Sequence, residues 1–389
     1  MKKELAKKIL AELVSFKTDS TKGTDYEECA KFIADSLSKI GFETNIVSEK
    51  TPDGKIHPNV IAEKKGKKSD GAILYAAHFD VVPPGEGWDT DPWKLSERDG
   101  KLYGRGASDD KGAIAAFIAA MTDLTPEVTA KAVFVCDEEI GGQHGMGFVT
   151  KKVRSWFSDV KFVWLADSSA EFIANGSSGV LGGEVVVHGV GSHAGTPYKA
   201  KNPVHMLIDF LKELKEYEKI ALEKKSHANA PPNCPYEKVP RRFSITILSA
   251  GHKTNIIPNA AKAGFDLRFL PEESSSEAKK DFEKFFNGVV EKTGIKAELN
   301  FLYGHDGYIQ PLTEAVVQFR RFAEKHFDIK GFAACLGGND AVYLAKLGLT
   351  VIGFGPIEED TRIHMPNEFI RIETLEKIIN LINDIFTKS

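Results

Sequence analysis

Three nearly unbroken apolar runs, Ala72–Phe79, Lys131–Cys136 and Lys161–Ala166, constrain this chain more than any other feature. A strand that is apolar at successive positions has both faces buried, as in the middle of a parallel sheet covered by helices. Each run ends in ionisable residues. The first ends in His78 and Asp80, the second runs into Asp137, Glu138 and Glu139, and the third into Asp167. In open parallel sheets the ligand crevice lies at the carboxyl ends of the strands. Carboxylates crowded there repel one another in a low dielectric unless cations separate them. The pattern therefore predicts an α/β protein that binds metal at one edge of its sheet.

A glycine-rich turn lies between the first two runs. It reads Gly104-Arg105-Gly106-Ala107-Ser108-Asp109-Asp110-Lys111-Gly112 and leads into an apolar helix pattern, Ala113–Met121. His78 and Asp80 stand two apart on a strand, so their side chains leave on the same side. A metal-binding imidazole commonly donates its other ring N–H to a carboxylate, a role that suits Asp80.

The periodicity predicts an amphipathic helix over Asp25–Ile40 and strands over Phe42–Val47 and Asn59–Glu63. The basic run Lys64–Lys68 reads as a solvated hairpin tip. Past Gly179 the pattern changes to βαββαβ, with strands at Leu181–Val190, Phe243–Ala250, Ala260–Leu270 and Ile295–Leu302 and helices at Asn202–Tyr217 and Ser276–Lys292. This is the ferredoxin-like plan, and about 125 residues suits an independent domain. The first pattern then resumes, with helices Thr313–His326, Asn339–Leu347 and Asn367–Phe386 around strands Phe332–Cys335 and Thr350–Phe354. The expected organisation is a mostly parallel α/β catalytic domain (1–178 and 304–389) interrupted by an inserted α+β domain (179–303).

A length of 389 residues accords with two domains. A net charge of −4 gives no reason to expect nucleic acid or an anionic membrane as partner. Cys29, Cys136, Cys234 and Cys335 lack paired spacing, and no apolar run approaches a membrane span. The cytoplasm is the expected compartment.

Taken together, His78-x-Asp80, the Gly104–Gly112 turn, Asp137-Glu138-Glu139, Asp167 and His364 resemble the motifs of the dinuclear zinc amidohydrolases and metallopeptidases. That family includes acetylornithine deacetylase, succinyl-diaminopimelate desuccinylase and glutamate carboxypeptidase. The resemblance spans nearly the whole chain, including the position of the insert. It implies two Zn²⁺ ions, with Co²⁺ or Mn²⁺ able to substitute. His78 and Asp167 would bind one ion, Glu139 and His364 the other, and Asp109 would bridge both. Glu138 would be the general base, taking a proton from a bridging water and returning it to the leaving amine. The peptide bond Asp109–Asp110 would be cis.

The resemblance extends to the insert. It implies that His193 crosses a homodimer interface to stabilise the oxyanion of the partner's site. Asn255 and Arg268 match positions that hold the substrate's free carboxylate. Gly337 and Gly338 precede a helix and read as backbone N–H donors to that same group, or else Asp340 is an ordinary helix cap. The implied substrate is a small N-acyl amino acid or a short peptide with a free carboxylate. The same site would serve a dipeptidase or carboxypeptidase, and Asp110 in Ser108-Asp109-Asp110-Lys111-Gly112 looks more like the dipeptidase branch. A catalytically silent, metal-stabilised binding protein is the reading from another class, and an intact Glu138 argues against it.

Overall fold

All three apolar runs form strands buried along almost their whole length. In the computed structural model, which describes residues 1–68 and 71–388, they belong to one mixed sheet. Its strands include β1 (Glu43–Lys50), β2 (Ile56–Lys64), β3 (Ala72–His78), β4 (Thr129–Val135), β5 (Val160–Leu165), β6 (Ile173–Ser177) and, late in the chain, a short strand at Val351–Gly353. The centre is parallel: β3 pairs with β4 on one side and β5 on the other, and β5 pairs with Val351–Gly353. The flanking pairs β1–β2 and β2–β4 are antiparallel. Every residue of β3 and β4 is buried, which explains why neither alternates in polarity.

Helices cover the sheet. One is Lys111–Met121, buried at every position. A polar outer face would be out of place there, because Lys2–Ser15 and Ile372–Lys388 pack against it in turn. Tyr75, Phe117, Phe134 and Trp164 meet in the core, with Tyr75 stacked on Phe117 at 4.7 Å. Among the described residues no helix is long and apolar enough to cross a membrane.

By contact density the chain divides into two units. Met1–Asn175, Gln310–Ala333 and Asn339–Ser389 form the first, and Gly176–Ile309 with Ala334–Gly338 the second. The second unit carries β7 (Gly179–His188), β8 (Arg242–Ala250), β9 (Ala260–Phe269) and β10 (Ala297–His305), with helices at Pro203–Leu214 and Ser275–Thr293. The sheet order is β8-β9-β7-β10 and every pairing is antiparallel, which is the order of the split βαβ plan. Its core is aromatic, with Phe243, Phe265 and Phe282 in mutual contact.

Two local expectations are corrected. Lys64–Lys68 is not a hairpin tip, because β2 and β3 lie on opposite sides of β4. Lys64 instead ends β2 and donates to the Ile40 carbonyl at 2.7 Å, and the Lys67 N–H bonds to the Pro126 carbonyl. Nor does one helix cover Asn367–Phe386. Phe369–Arg371 is a strand paired with Lys101–Tyr103, and the helix starts at Ile372.

Candidate metal centre

The carboxyl ends of β3, β4 and β5 lie side by side, and the residues just beyond them come together. His78 ends β3. Its Nε2 lies 3.0 Å from Asp109 Oδ1. Asp109 reaches this point from the glycine-rich turn, where the Asp109–Asp110 peptide bond is cis. Its other oxygen, Oδ2, is 3.2 Å from His364 Nε2, which is also 3.2 Å from Glu139 Oε2. Two groups of ligand atoms result, His78–Asp109–Asp167 and Asp109–Glu139–His364, and within each the atoms lie within 4.8 Å of one another. Asp109 belongs to both.

The donor set fits a pair of zinc ions. Donor atoms bound to one tetrahedral zinc at about 2.0–2.2 Å stand about 3.3–3.6 Å apart, and the observed gaps of 3.0, 3.2 and 3.2 Å are a little below that size. Imidazole nitrogen and carboxylate oxygen are proper zinc ligands. The electrostatics point the same way. Hydrogen bonds to Asp109 and Glu139 raise His364 to about 10. Burial, then the charge of Asp109, lifts the Asp167 carboxyl to about 7. Burial and the charge of Asp167 push Glu138 well above the usual carboxylate range. Burial opposes the charge on Asp109 too, yet hydrogen bonds from His364 and His78 hold its carboxyl below the ordinary value. A site that raises Glu138, Glu139 and Asp167 and draws both imidazoles toward the cationic form is short of positive charge.

Asp80 differs in part from its expected role. His78 Nδ1 lies 3.0 Å from the backbone carbonyl of Asp80 and 3.4 Å from its carboxylate. That carboxylate accepts the backbone N–H groups of Glu138 and Glu139 at 3.2 and 3.1 Å. Asp80 thus ties the end of β3 to the double glutamate that follows β4. Glu139 is fixed further by the Val82 N–H, which donates to its Oε1 at 3.2 Å. Glu138 lies next to a ligand residue but belongs to neither ligand group.

Three residues contribute in ways the motif reading did not assign. Glu368 is 1% exposed and paired with Arg105, itself 1% exposed, at 2.6 Å. Its carboxylate also accepts the backbone N–H groups of Gly106, Ser108 and Asp109. It therefore clamps the turn that carries Asp109 to the segment that carries His364. The only local hint was an acid four residues past His364. Asp340 is buried and makes no side-chain cap bond, so it is not the ordinary cap considered above. Its Oδ1 lies 2.1 Å from where a Cβ on Gly142 would stand, which requires glycine in the loop after Glu139. Lys111 is fully buried and donates to the Phe16 carbonyl at 2.8 Å, anchoring the start of the apolar helix.

The remaining residues singled out from sequence lie in the second unit. His193 is exposed in a two-residue strand, and its Nδ1 accepts the Gly195 N–H at 3.0 Å. Asn255 is exposed, and its backbone carbonyl accepts the Ala194 N–H. Arg268 is half-buried on β9, with Nε donating to Asp266 Oδ1 at 2.8 Å. Gly337 is exposed, and Gly338 lies so close to His305 that a Cβ would stand 2.1 Å from its ring.

Comparison with known proteins agrees with this geometry. The chain is 29% identical over 376 residues to a succinyl-diaminopimelate desuccinylase of Bordetella parapertussis, covering 92% of this chain and 91% of that one. Its fold is that of an M20 family metallo-carboxypeptidase of Sulfolobus solfataricus (TM-score 0.78, 19% identity, 97% of each chain). It is likewise that of human carnosine dipeptidase 1 (TM-score 0.76, 20% identity, 98% of this chain and 97% of that one). The family model described as Peptidase family M20/M25/M40 matches residues 74–388. A match of that extent, running from β3 through the strand ends that gather the ligand atoms to the last helix, shows that this chain belongs to Peptidase family M20/M25/M40, a family of hydrolytic enzymes.

Proposed function

We propose that this enzyme hydrolyses the amide bond of a small N-acyl amino acid, or of a short peptide, with a free carboxylate. The observation that carries this reading is Glu138, an acid beside the ligand Glu139 that is itself in neither ligand group. His78 and Asp167 would hold one zinc ion, Glu139 and His364 the other, and Asp109 both. When bound, the metal pair supplies Lewis acidity, polarising a carbonyl oxygen and making nearby water more acidic. Glu138 accepts the proton of the attacking water and passes it to the departing amine. Its raised affinity for a proton suits both halves of that transfer. Asp80, bonded to the Glu138 and Glu139 backbone, holds the base in place.

His193 is proposed as the oxyanion donor. Because its Nδ1 accepts a hydrogen bond from the Gly195 N–H, the neutral ring carries its proton on Nε2, free to donate. Arg268 and Asn255 are proposed to hold the substrate carboxylate, with the backbone N–H groups of Gly337 and Gly338 beside them. A homodimer through the second unit is supported by edge strand β8, where Ile247 and Leu248 are 63% and 68% exposed. The buried free thiols of Cys29 and Cys136 accord with a reducing compartment, the cytoplasm. Deacylation is preferred because the desuccinylase relative aligns over most of both chains. Asp110, buried beside Asp109, favours a dipeptidase as the second reading.

The test is a hydrolysis screen of acetyl, succinyl and aminoacyl conjugates of several amino acids, with zinc, cobalt or manganese returned after chelation. Aminoacyl substrates alone turning over would select the dipeptidase. Glu138→Gln is expected to lower kcat about 10²–10⁴-fold with both metals retained. Full turnover in that variant would refute the general-base role.

A further inference from the structure

Two adjacent arginines stand at the start of β8, Arg241 just before it and Arg242 as its first residue, and the second unit treats them in opposite ways. Arg241 is 1% exposed and fully matched: it pairs with Glu273 at 2.5 Å, with Asp281, and with the Tyr217 hydroxyl at 2.7 Å. Arg242 has no such carboxylate. Its Nη2 donates to Ser178 Oγ at 2.6 Å and to the Leu336 carbonyl at 3.0 Å, both neutral acceptors. Its Nε is buried without a hydrogen-bond partner among the described residues.

The residue directly opposite Arg242 on the neighbouring strand is Arg268. Side chains opposite one another in an antiparallel ladder share a face with Cβ atoms about 4.5–5.5 Å apart, and like charges there are unfavourable. Burial, then the nearby charge of Arg268, lowers Arg242 to about 10. The one carboxylate bonded to this pair is Asp266, taken up by Arg268 Nε. Two guanidinium groups and one carboxylate leave one positive charge unbalanced. A buried donor without an acceptor and a repulsive cationic pair are each costly, and one anion placed between the two arginines would relieve both. The Leu336 carbonyl bonded to Arg242 also brings Gly337 next to this place.

We propose that Arg242 is a second arginine of the substrate carboxylate subsite, sharing one carboxylate with Arg268 and making that carboxylate a requirement for binding. Arg242 then determines specificity and takes no part in proton transfer. Its role rests on the substrate reading above, which assigns the carboxylate to Arg268.

The experiment uses the full-length, zinc-loaded enzyme and matched probes: N-acetyl-, N-succinyl- and glycyl-L-amino acids, each with its α-carboxamide. Kinetics are read for wild type, Arg242→Gln, Arg242→Lys and Arg268→Gln, and calorimetric binding is read in a Glu138→Gln background. Arg242→Gln is expected to raise KM or Kd for the free acids about 10- to 100-fold. Values for the carboxamides should stay within about twofold, and lysine should rescue only partly because it lacks the bidentate fork. Equal losses on acids and carboxamides would make Arg242 merely structural and overturn the proposal. An unchanged acid preference in Arg242→Gln, with Arg268→Gln abolishing it, would overturn the role of Arg242 alone. A wild-type enzyme that binds neither probe, or does not distinguish them, would overturn the carboxylate reading and this inference with it.

Discussion

Glu368 accepts the backbone N–H of Asp109 at 3.1 Å although 259 residues separate them in sequence. Through it, the turn carrying Asp109 and the segment carrying His364 are tied together. Glu368→Gln would leave Arg105 buried without its counter-charge, a loss of about 3–5 kcal/mol of stability. Metal affinity is expected to fall about 10–100-fold, as when outer-shell partners of ligands are removed. Thermal melting of the metal-free protein and metal titration of the folded variant check these separately. Unchanged metal affinity would show that the clamp serves stability alone.

Asp109 is the only residue common to both ligand groups. Chelation should lower the melting temperature, and zinc should restore it. A ligand that binds only the native state stabilises by about 2.7 kcal/mol at a hundredfold excess over Kd. Asp109→Ala is expected to abolish that response, whereas His364→Ala should retain one ion per chain. Metal content by mass spectrometry under native conditions checks the stoichiometry. Two ions retained in Asp109→Ala would exclude it as the bridge.

Edge strand β8 and His193 make the proposed dimer testable by complementation. Ile247→Glu places a charge on an exposed apolar edge and should shift the enzyme to monomer in sedimentation, with little loss of melting temperature. If His193 acts across the interface, His193→Ala and Glu138→Gln are each nearly inactive alone. Mixed and re-equilibrated in equal amounts, they should recover about a quarter of wild-type activity, because half the dimers carry one complete site. No recovery on mixing would place His193 in its own subunit's site.

The second unit should carry its own acid sensitivity. Burial disfavours the charge on Asp281, but bonds from Lys224 and Tyr217 and the charge of Arg241 outweigh it and hold the carboxyl at about 2, against an ordinary 3.8. Between those values the unfolded chain binds the proton and the folded chain does not. The contribution is therefore complete above about pH 4 and disappears as pH falls toward 2. Asp281 is 36% exposed, so screening limits the effect to a melting shift of about 2 °C or less. Asp281→Asn should flatten the melting temperature over this window, measured by calorimetry. An unaltered acid slope would show that other carboxylates carry it.

Much of the centre is legible in the sequence. Short runs apolar at successive positions suit strands buried on both faces, as at the centre of a helix-covered sheet. Ionisable residues just past three such runs must then share one edge, so His78, Glu139 and Asp167 follow from one-dimensional pattern. What the chain leaves undetermined is any role defined by a distant partner. Phe369–Arg371 has the apolar spacing of the helix it precedes, and becomes a strand only because Lys101–Tyr103 lies alongside. Glu368 reads as an acid at the start of the expected helix Asn367–Phe386 until folding places Arg105 against it, and Arg242 carries no signal until register sets it opposite Arg268. Local periodicity records which side of an element is buried. Which groups meet depends on pairing and register between distant segments, and that information exists only in the folded chain.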